Sequence, residues 1–314
     1  MGQFLKGEWI EASVGSTTST GIFVREKVTF RNEISEAPDA IYLPEANRYH
    51  LYVSYACPWA HRTLIFRKLK GLEKLIGLSV VNPIMGSKGW DFQTDYPNTT
   101  GDQCAQLDLL GDIYLKADPH FTGRVTVPVL WDTVTETIVN NESSEIIRFF
   151  NSAFNQLTGN ADDYYPQEHQ AEIDELNEKI YHTVNNGVYK AGFARTQNAY
   201  QTAVTALFDT LDELEKRLNN RSYLLGELIT EADWRLFVTL IRFDVVYVGH
   251  FKCNLRRISD YPNLSRYLKS LYWQPGIKET VHMDHIKDHY YMSHPSLNPH
   301  RIVPVGPDLE FLRP

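Results

Sequence analysis

The sequence predicts two domains of different fold class, an α/β domain at residues 49–152 and an all-α domain at residues 153–288. In the first region, β-branched and aromatic runs of strand length alternate with runs of helical length. In the second region, apolar residues recur at helical spacing, and no run has a comparable strand pattern. We expect residues 1–48 to be a polar, loop-like N-terminal extension with a flexible patch at 15–21, and residues 289–314 to be a C-terminal tail.

The composition is typical of a packed globular protein. Hydrophobic residues make up 43% of the 314 residues and aromatic residues 12%. The formal net charge is −8 and the basic residues are scattered, which does not favour nucleic acid or a membrane as a partner. No apolar stretch has the length of a signal peptide or a membrane span, and three widely spaced cysteines do not form a disulfide framework. We therefore expect a soluble, cytoplasmic protein.

The α/β region begins with a strand, a helix and a second strand. Residues 49–55 are β-branched and aromatic, as a buried strand should be. Residues 58–70 have the pattern of a helix that stops at Gly71, and residues 78–83 form the next strand. A crossover of helical length between two strands predicts that they pair in parallel.

The rest of the α/β region begins with a long insertion. Residues 84–122 are polar, and a loop of that length in a compact domain is usually functional. The strand at 125–132 has Pro128 near its start, where proline marks a strand beginning or a bend and can form a cis bond. A short strand at 137–141 leads into a helix at 142–150. This order of elements is the layout of a thioredoxin-like domain.

The all-α region follows a polar linker at residues 151–166 and runs from Glu168 to about His285. Within it, Thr230 precedes an apolar helical pattern, and Asp233 stands three residues later. This spacing predicts a capping box in which Thr230 caps the helix and Asp233 reaches back to it. Asp233 is therefore expected to be structural rather than catalytic.

Cys57 is the candidate nucleophile. It stands between a predicted strand and a predicted helix, where unpaired backbone N–H groups and the helix dipole stabilise a thiolate. Pro58 suits the first helical turn. Ala60 occupies the position of the second cysteine of a dithiol oxidoreductase, so the adduct would be resolved by an external thiol such as glutathione. The alternative is an inert buried cysteine, the commoner fate of a lone cysteine.

Four further residues could hold a peptide-like thiol. Glu142 and Ser143 fall where a strand enters a helix, and the N–H groups there, with a serine hydroxyl, suit a carboxylate. Glu142 could pair with the α-amino group of glutathione. Val127 would offer its backbone to the cysteinyl part of the ligand, as an added strand does. Arg124 could hold a carboxylate or be an ordinary solvated charge.

These motifs resemble the glutathione transferases, and within them the glutathionyl-hydroquinone reductases, also called the xi class. The resemblance covers nearly the whole chain, whereas omega-class transferases share only the first few elements. It rests on YVSYACPWAHRTLI, GLSVVNP, Gly89-Trp90, TVPVLWD, VNNES, NNGVYKAGFA, RFDVVYVGHFKCN and DHYYMSHPSLNP.

The resemblance implies roles for nine residues. Cys57 would be the nucleophile and Tyr189 the proton donor at an aromatic substrate. Tyr247 and Tyr290 would complete that site and help to hold the thiolate, although Tyr291 competes with Tyr290 for this place because the register of adjacent tyrosines is ambiguous. The residues that would contact glutathione are Trp90, Arg124, Val127, Glu142 and Ser143. The tail at 289–314 would complete the substrate site.

The activity implied by the resemblance is the reduction of S-glutathionyl-hydroquinones to hydroquinones through a mixed disulfide between Cys57 and glutathione. A second glutathione would then release oxidised glutathione. The resemblance also implies a homodimer and no metal. His61, four residues after Cys57, is a possible base, although a thiol at a helix terminus ionises without one.

Three alternatives remain at the level of sequence. An omega-type thioltransferase or dehydroascorbate reductase would use the same chemistry at Cys57. A conjugating transferase would activate glutathione with a serine or tyrosine hydroxyl. A non-catalytic module on the same fold is the third, since transferase-like folds also serve in assemblies.

Overall fold

The computed structural model describes residues 2–11 and 16–314, which fall into two compact units. The first unit is built from residues 2–11, 27–162 and 280–289, and the second from residues 16–26, 163–279 and 290–314. Residues 16–26, near the N-terminus, therefore belong to the second unit, and residues 280–289, near the C-terminus, belong to the first. Their positions in the sequence do not predict this. The expected domain boundaries at residues 48, 152 and 288 stay predictions.

The N-terminal residues form short strands rather than the expected loop. The strands are paired antiparallel, β1 (Gly2–Leu5) with β2 (Glu8–Glu11) and β3 (Ser16–Thr17) with β4 (Phe23–Val24). Phe4 and Phe23 are buried, so isolated aromatic side chains anchor an otherwise polar segment. The expectation of a loop-like extension is therefore wrong for these strands, while residues 1 and 12–15, with the first residue of the expected flexible patch, lie outside the described part.

The first unit contains a four-stranded sheet in the order β6-β5-β7-β8. Its strands are β5 (Tyr49–Val53), β6 (Ile76–Val80), β7 (Val129–Asp132) and β8 (Thr137–Asn140). β5 pairs in parallel with β6, as the crossover predicts, and antiparallel with β7, which pairs antiparallel with β8. Every residue of β5 is buried, which explains its continuous apolar and aromatic pattern.

Four helices that the structure describes in full within the first unit accompany this sheet. They are α1 (Pro58–Leu69), α2 (Leu110–Ala117), α3 (Ser143–Ser152) and α4 (Asn155–Thr158). α1 ends two residues before Gly71, whose φ of 66° lies in the left-handed region that glycine adopts readily. The Val127–Pro128 bond is cis, and β7 begins directly after it. Pro128 therefore marks the beginning of a strand, as expected.

Two predicted loops of the first unit contain helices. The insertion at 84–122 includes α2, which buries Leu110, Ile113 and Tyr114 on one face. The linker at 151–166 begins inside α3 and includes α4. Both helices are short, so their sequences carry too few apolar repeats to predict them.

The second unit is helical, as predicted. Its helices are α5 (Gln170–Ile180), α6 (Gly187–Gly192), α7 (Gln197–Arg217), α8 (Glu231–Arg242), α9 (Pro262–Tyr272) and the end of α10 (Met283–Ser293). Two π-helical segments, Tyr181–Asn185 and Phe243–Tyr247, follow α5 and α8 directly. No helix among the described residues is long and apolar enough to cross a membrane.

The capping box predicted at the start of α8 is confirmed. The backbone N–H of Thr230 donates to Asp233 Oδ2 over 2.8 Å, and both parts of the reciprocal pair are present. Asp233 also accepts hydrogen bonds from the Leu224 N–H at 2.9 Å and the Tyr267 hydroxyl at 3.0 Å. These buried bonds give the aspartate a structural role, as expected.

Candidate active site

Cys57 lies at the junction of β5 and α1. It is the N-cap residue of α1, with extended backbone angles (φ −76°, ψ 122°), and Pro58 opens the helix. The half-buried thiol donates to the Val127 carbonyl oxygen over 3.5 Å. The structure therefore brings together the candidate nucleophile, a helix N-terminus and the backbone of Val127. An N-terminal helix position of this kind favours the thiolate.

The remaining cysteines are distinct from Cys57 in setting. Burial raises the pKa of the Cys104 thiol and of the Cys253 thiol, and the latter side chain is fully buried. All three cysteines are free thiols, and position 60 within α1 is a fully buried alanine. Cys57 thus has no second thiol beside it on α1, as the sequence predicts.

His61 lies on the same helix as Cys57. Its ring is fully buried, and its Nε2 shares a hydrogen bond of 2.8 Å with Thr280 Oγ1. This contact gives the histidine a packing role and does not require it to act as a base.

Glu142 and Ser143 lie together at the start of α3. Glu142 is the N-cap, and its Oε1 accepts from the Ser144 N–H at 3.0 Å and the Ser144 hydroxyl at 2.8 Å. The Ser143 hydroxyl is buried and has no hydrogen-bond partner within the described residues. Since a buried unpaired hydroxyl is costly, this position at a helix N-terminus suits an anionic group of a ligand.

Trp90 is buried and stacks on an imidazole that the sequence did not single out. The ring centroids of Trp90 and His289 are 4.8 Å apart with an interplanar angle of 22°. His289 Nδ1 is held by the Pro83 carbonyl oxygen at 2.7 Å. Arg124 is half-buried in the segment before β7. These residues belong to the same unit as Cys57.

Three tyrosines come together in the second unit. The hydroxyl of Tyr290 lies 2.5 Å from that of Tyr189 and 3.0 Å from that of Tyr247. The hydroxyl of Tyr291 instead donates to the Val245 carbonyl oxygen at 3.3 Å. The structure therefore places Tyr290, rather than its neighbour, in a continuous chain of three hydroxyls, which we call the tyrosine cluster (Tyr189, Tyr247 and Tyr290).

The tyrosine cluster draws on three separate elements. Tyr189 lies on α6, Tyr247 ends the π-helical segment that follows α8, and Tyr290 lies on α10. π-helical turns inside helices are frequent at functional sites because they displace the following side chains. The three hydroxyls therefore meet only through the tertiary fold.

Burial distinguishes Tyr247 and Tyr290 from Tyr189. Burial raises the pKa of Tyr247 and of Tyr290 well above the ordinary value, and Tyr189 adds to the rise at both. Arg242 opposes the rise at both, but the two hydroxyls remain protonated. Tyr189 is only half-buried and is the most accessible member of the cluster. A chain of this kind can supply a proton through its accessible end.

Two residues of the N-terminal segment pack on Tyr189. The ring of Phe23 stacks on it with centroids 6.4 Å apart, and the guanidinium carbon of Arg25 lies 4.7 Å above its centroid. Nothing in the local sequence pattern predicts these contacts, because the segment lies more than 160 residues away from Tyr189. Among the described residues there is no group of three or more His, Cys, Asp or Glu side chains that could hold a metal ion.

Two family models match the chain. The N-terminal domain of glutathione S-transferase matches residues 56–153, and the C-terminal domain of glutathione S-transferase matches residues 197–270. These two matches confirm the predicted order of a thioredoxin-like domain and a helical domain.

Curated relatives match over nearly the full length. Glutathionyl-hydroquinone reductase YqjG of Escherichia coli K12 is 54% identical and covers 98% of this chain and 95% of its own. Glutathionyl-hydroquinone reductase PcpF of Sphingobium chlorophenolicum is 52% identical and covers 98% of this chain and 96% of its own.

Solved structures agree with these matches. The glutathione S-transferase Xi of Phanerochaete chrysosporium has a TM-score of 0.92 at 56% identity, covering 95% of this chain and 96% of its own. The glutathione-bound structure of YqjG from Escherichia coli has a TM-score of 0.91 at 52% identity, covering 100% of this chain and 98% of its own. The chain therefore belongs to the glutathione S-transferase family, in the group of the glutathionyl-hydroquinone reductases.

Proposed function

We propose that this chain reduces S-glutathionyl-hydroquinones to hydroquinones, with glutathione as the reductant. Relatives that carry the name of this reaction are 54% and 52% identical over 98% of the chain, which supports the proposal. The observation that carries it is the tyrosine cluster. Cys57 at a helix N-terminus would serve any glutathione-dependent thiol transfer, whereas a chain of phenol hydroxyls suits an aromatic leaving group that must gain a proton.

Glutathione is proposed to bind in the first unit. Its γ-glutamyl carboxylate would accept a hydrogen bond from the unpaired Ser143 hydroxyl at the start of α3. Its α-amino group would pair with Glu142, and its cysteinyl backbone would lie along Val127, whose carbonyl already accepts from the Cys57 thiol. The remaining proposed contacts are made by Trp90 and Arg124.

In the first chemical step, the Cys57 thiolate attacks the glutathione sulfur of the substrate. A sulfur–sulfur bond forms while the bond between that sulfur and the ring carbon breaks. The ring, held as its keto tautomer, leaves with the electron pair and receives a proton from Tyr189. The ring is thereby reduced by two electrons, and the two sulfur atoms are oxidised to a mixed disulfide.

In the second step, the thiolate of another glutathione attacks the glutathione sulfur of the mixed disulfide. Oxidised glutathione leaves, and the electron pair returns to Cys57 as a thiolate. Ala60 offers no internal thiol to compete, so this exchange is intermolecular.

Intact-mass spectrometry tests the proposal. The protein is mixed with a glutathionyl-hydroquinone in the absence of free glutathione, and we expect one glutathione to be attached to Cys57 as one hydroquinone is released. Cys57→Ser should show neither event while still binding glutathione in calorimetry, and the control Cys104→Ser should behave as the wild type. Turnover by Cys57→Ser would overturn the covalent mechanism.

Substrate comparison separates the proposed activity from an omega-type thioltransferase. The ratio kcat/KM is measured for a glutathionyl-hydroquinone, a simple mixed disulfide and dehydroascorbate. We expect the quinol to be preferred and Tyr290→Phe to lower the rate with the quinol alone. An equal loss with all three substrates would remove the argument from the tyrosine cluster.

The assembly is proposed to be a homodimer, on the family resemblance. Light scattering coupled to size-exclusion chromatography should give twice the chain mass of 36.2 kDa. A mass equal to one chain would refute the dimer without affecting the proposed chemistry.

A further inference from the structure

Arg25 is held over the ring of Tyr189 by more than one contact. Its guanidinium carbon lies 4.7 Å from the ring centroid, and its Nε donates to Asn186 Oδ1 over 2.9 Å. Asn186 is the residue before α6, three positions before Tyr189 on the chain. Arg25 is therefore bonded to the residue that precedes the helix carrying Tyr189, and this bond holds the guanidinium close to the phenol ring.

The segment that carries Arg25 is itself anchored. Phe23 is buried and packs on both Tyr189 and Phe193, with centroid distances of 6.4 Å and 5.6 Å. The Arg195 N–H donates to the Gly21 carbonyl at 3.0 Å, and the Thr196 hydroxyl donates to the Thr20 carbonyl at 3.0 Å. Ring packing and backbone hydrogen bonds therefore hold the segment that carries Arg25 beside Tyr189.

The charges around the tyrosine cluster are unevenly placed. Tyr247 and Tyr290 are at most 1% exposed, so a negative charge on either hydroxyl would be poorly solvated. The positive charge of Arg242 lowers the pKa of both buried phenols, against the effect of burial. Tyr189 is half-buried and has the Arg25 guanidinium on its face. Attraction between a guanidinium and an aromatic ring increases when the ring carries a full negative charge.

We propose that Arg25 is a positioning residue that orients Tyr189 and stabilises its phenolate after Tyr189 gives its proton to the departing quinol ring. The chemical part of this inference rests on the proposed function, whereas the pairing of cation and phenol does not. The negative charge left by proton donation then resides on Tyr189 rather than on the two buried phenols.

The test compares charged and uncharged replacements of Arg25. Arg25→Met and Arg25→Gln remove the cation, Arg25→Lys keeps a cation without the planar guanidinium, and Arg195→Met removes an exposed arginine of the same unit. Single-turnover release of hydroquinone is recorded against pH, and glutathione affinity is measured by calorimetry.

We expect both uncharged variants to release hydroquinone about 5- to 30-fold more slowly, with unchanged glutathione affinity. The alkaline limb of their pH–rate profile should move to higher pH, because Tyr189 loses its proton less readily without the cation. Arg25→Lys should recover part of the rate, and Arg195→Met should match the wild type. Arg25→Gln keeps a side-chain donor for Asn186 and therefore carries the test if Arg25→Met folds poorly.

A direct titration separates this inference from the proposed function. The absorbance of tyrosinate is followed against pH in the wild type and in Arg25→Gln, each with Tyr189→Phe as the reference for subtraction. We expect the pKa of Tyr189 to rise when Arg25 is replaced. If the wild type reduces no glutathionyl-hydroquinone but this rise is seen, the proposed function fails together with the chemical step assigned to Tyr189, whereas the pairing of Arg25 with Tyr189 stands. An unchanged Tyr189 pKa, or an unchanged release profile in an active enzyme, overturns the role of Arg25.

Discussion

Cys57 differs from the other two cysteines through its place at the start of α1. Its half-buried thiol meets the N-terminus of a helix, whereas burial raises the pKa of Cys104 and Cys253. We predict that the pKa of Cys57 lies well below the value of about 8.5 for a free thiol. The rate of alkylation against pH measures it, with Cys57→Ser giving the background of the other two thiols. A midpoint at or above the free value would contradict the proposed role of the helix terminus.

Tyr189 is the member of the tyrosine cluster with access to solvent. Replacing it with phenylalanine removes the hydroxyl while keeping the ring that packs on Phe23. Because a general acid acts in the transition state, we expect Tyr189→Phe to slow hydroquinone release by about 10²- to 10⁴-fold with little change in glutathione affinity. Tyr291→Phe is the matched control, since the Tyr291 hydroxyl donates to the Val245 carbonyl instead. A loss confined to glutathione affinity would place Tyr189 in a different site.

We predict that alanine at position 60 of α1 keeps the resolving step intermolecular. The site is fully buried and one turn from Cys57. In Ala60→Cys, the new thiol can attack the sulfur of glutathionylated Cys57 from within the helix at high effective concentration. The mixed disulfide breaks, glutathione leaves as its thiolate, and an internal disulfide forms. We expect lower quinol turnover with glutathione and a gain of activity with a dithiol reductant.

The control for this change is Ala60→Ser, which adds a side chain of similar size without a thiol. It should show no internal disulfide and should lose turnover only through crowding in the buried site. If Ala60→Cys and Ala60→Ser have the same kinetics, and mass spectrometry detects no disulfide, position 60 is set by packing alone.

The elements that the sequence predicts well are those with continuous patterns between clear ends. β5 is recognised as a run of aromatic and apolar residues before Cys57, and α1 as a run of helical length that stops before Gly71. α2 was missed because it spans eight residues and includes Gly111 near its start. β4 was missed because a two-residue strand held by Phe23 has no periodicity.

The residues of the candidate site also differ in how far the sequence predicts them. Cys57, Glu142 and Ser143 could be proposed from local context, because a helix N-terminus is visible in the sequence. The tyrosine cluster needed the family resemblance, since its hydroxyls come from residues 101 and 43 positions apart. His289 and Arg25 carry no local signal, because their roles arise from stacking on rings far away in the sequence.

The two chain ends contribute to both halves of the proposed chemistry. In the first unit, Trp90 stacks on His289, which comes from a segment near the C-terminus. In the second unit, Tyr189 packs against Phe23 and Arg25, which come from a segment near the N-terminus. A shortened chain that kept only the central residues 27–279 would therefore lose a ring partner in each unit.

The stability of the molecule should depend on pH through a buried histidine of the sheet. His50 on β5 is 7% exposed and shares a hydrogen bond of 2.7 Å with Ser79 on β6. Burial lowers the pKa of His50 from 6.5 to about 4, with Arg67 adding to the effect and Asp102 opposing it. Burial also lowers the pKa of His285. Between pH 6.5 and about 4, the imidazole of His50 is protonated in the unfolded chain and neutral in the folded sheet.

The sign of the dependence follows from that difference. The contribution of His50 is fully present above its ordinary pKa of 6.5 and is lost as the pH falls towards about 4, a loss of about 3 kcal/mol in the free energy of unfolding. Urea unfolding between about pH 7.5 and about pH 4.5 measures it. We expect His50→Gln, which keeps a hydrogen-bonding group for Ser79, to flatten the curve, and the exposed His120→Gln to leave it unchanged. Since His285 and the carboxyl of Asp132, whose pKa is also lowered in the folded protein, add to the slope, the difference between the wild type and His50→Gln measures the part that belongs to His50. Equal slopes in the two proteins would show that the fold does not lower the pKa of His50.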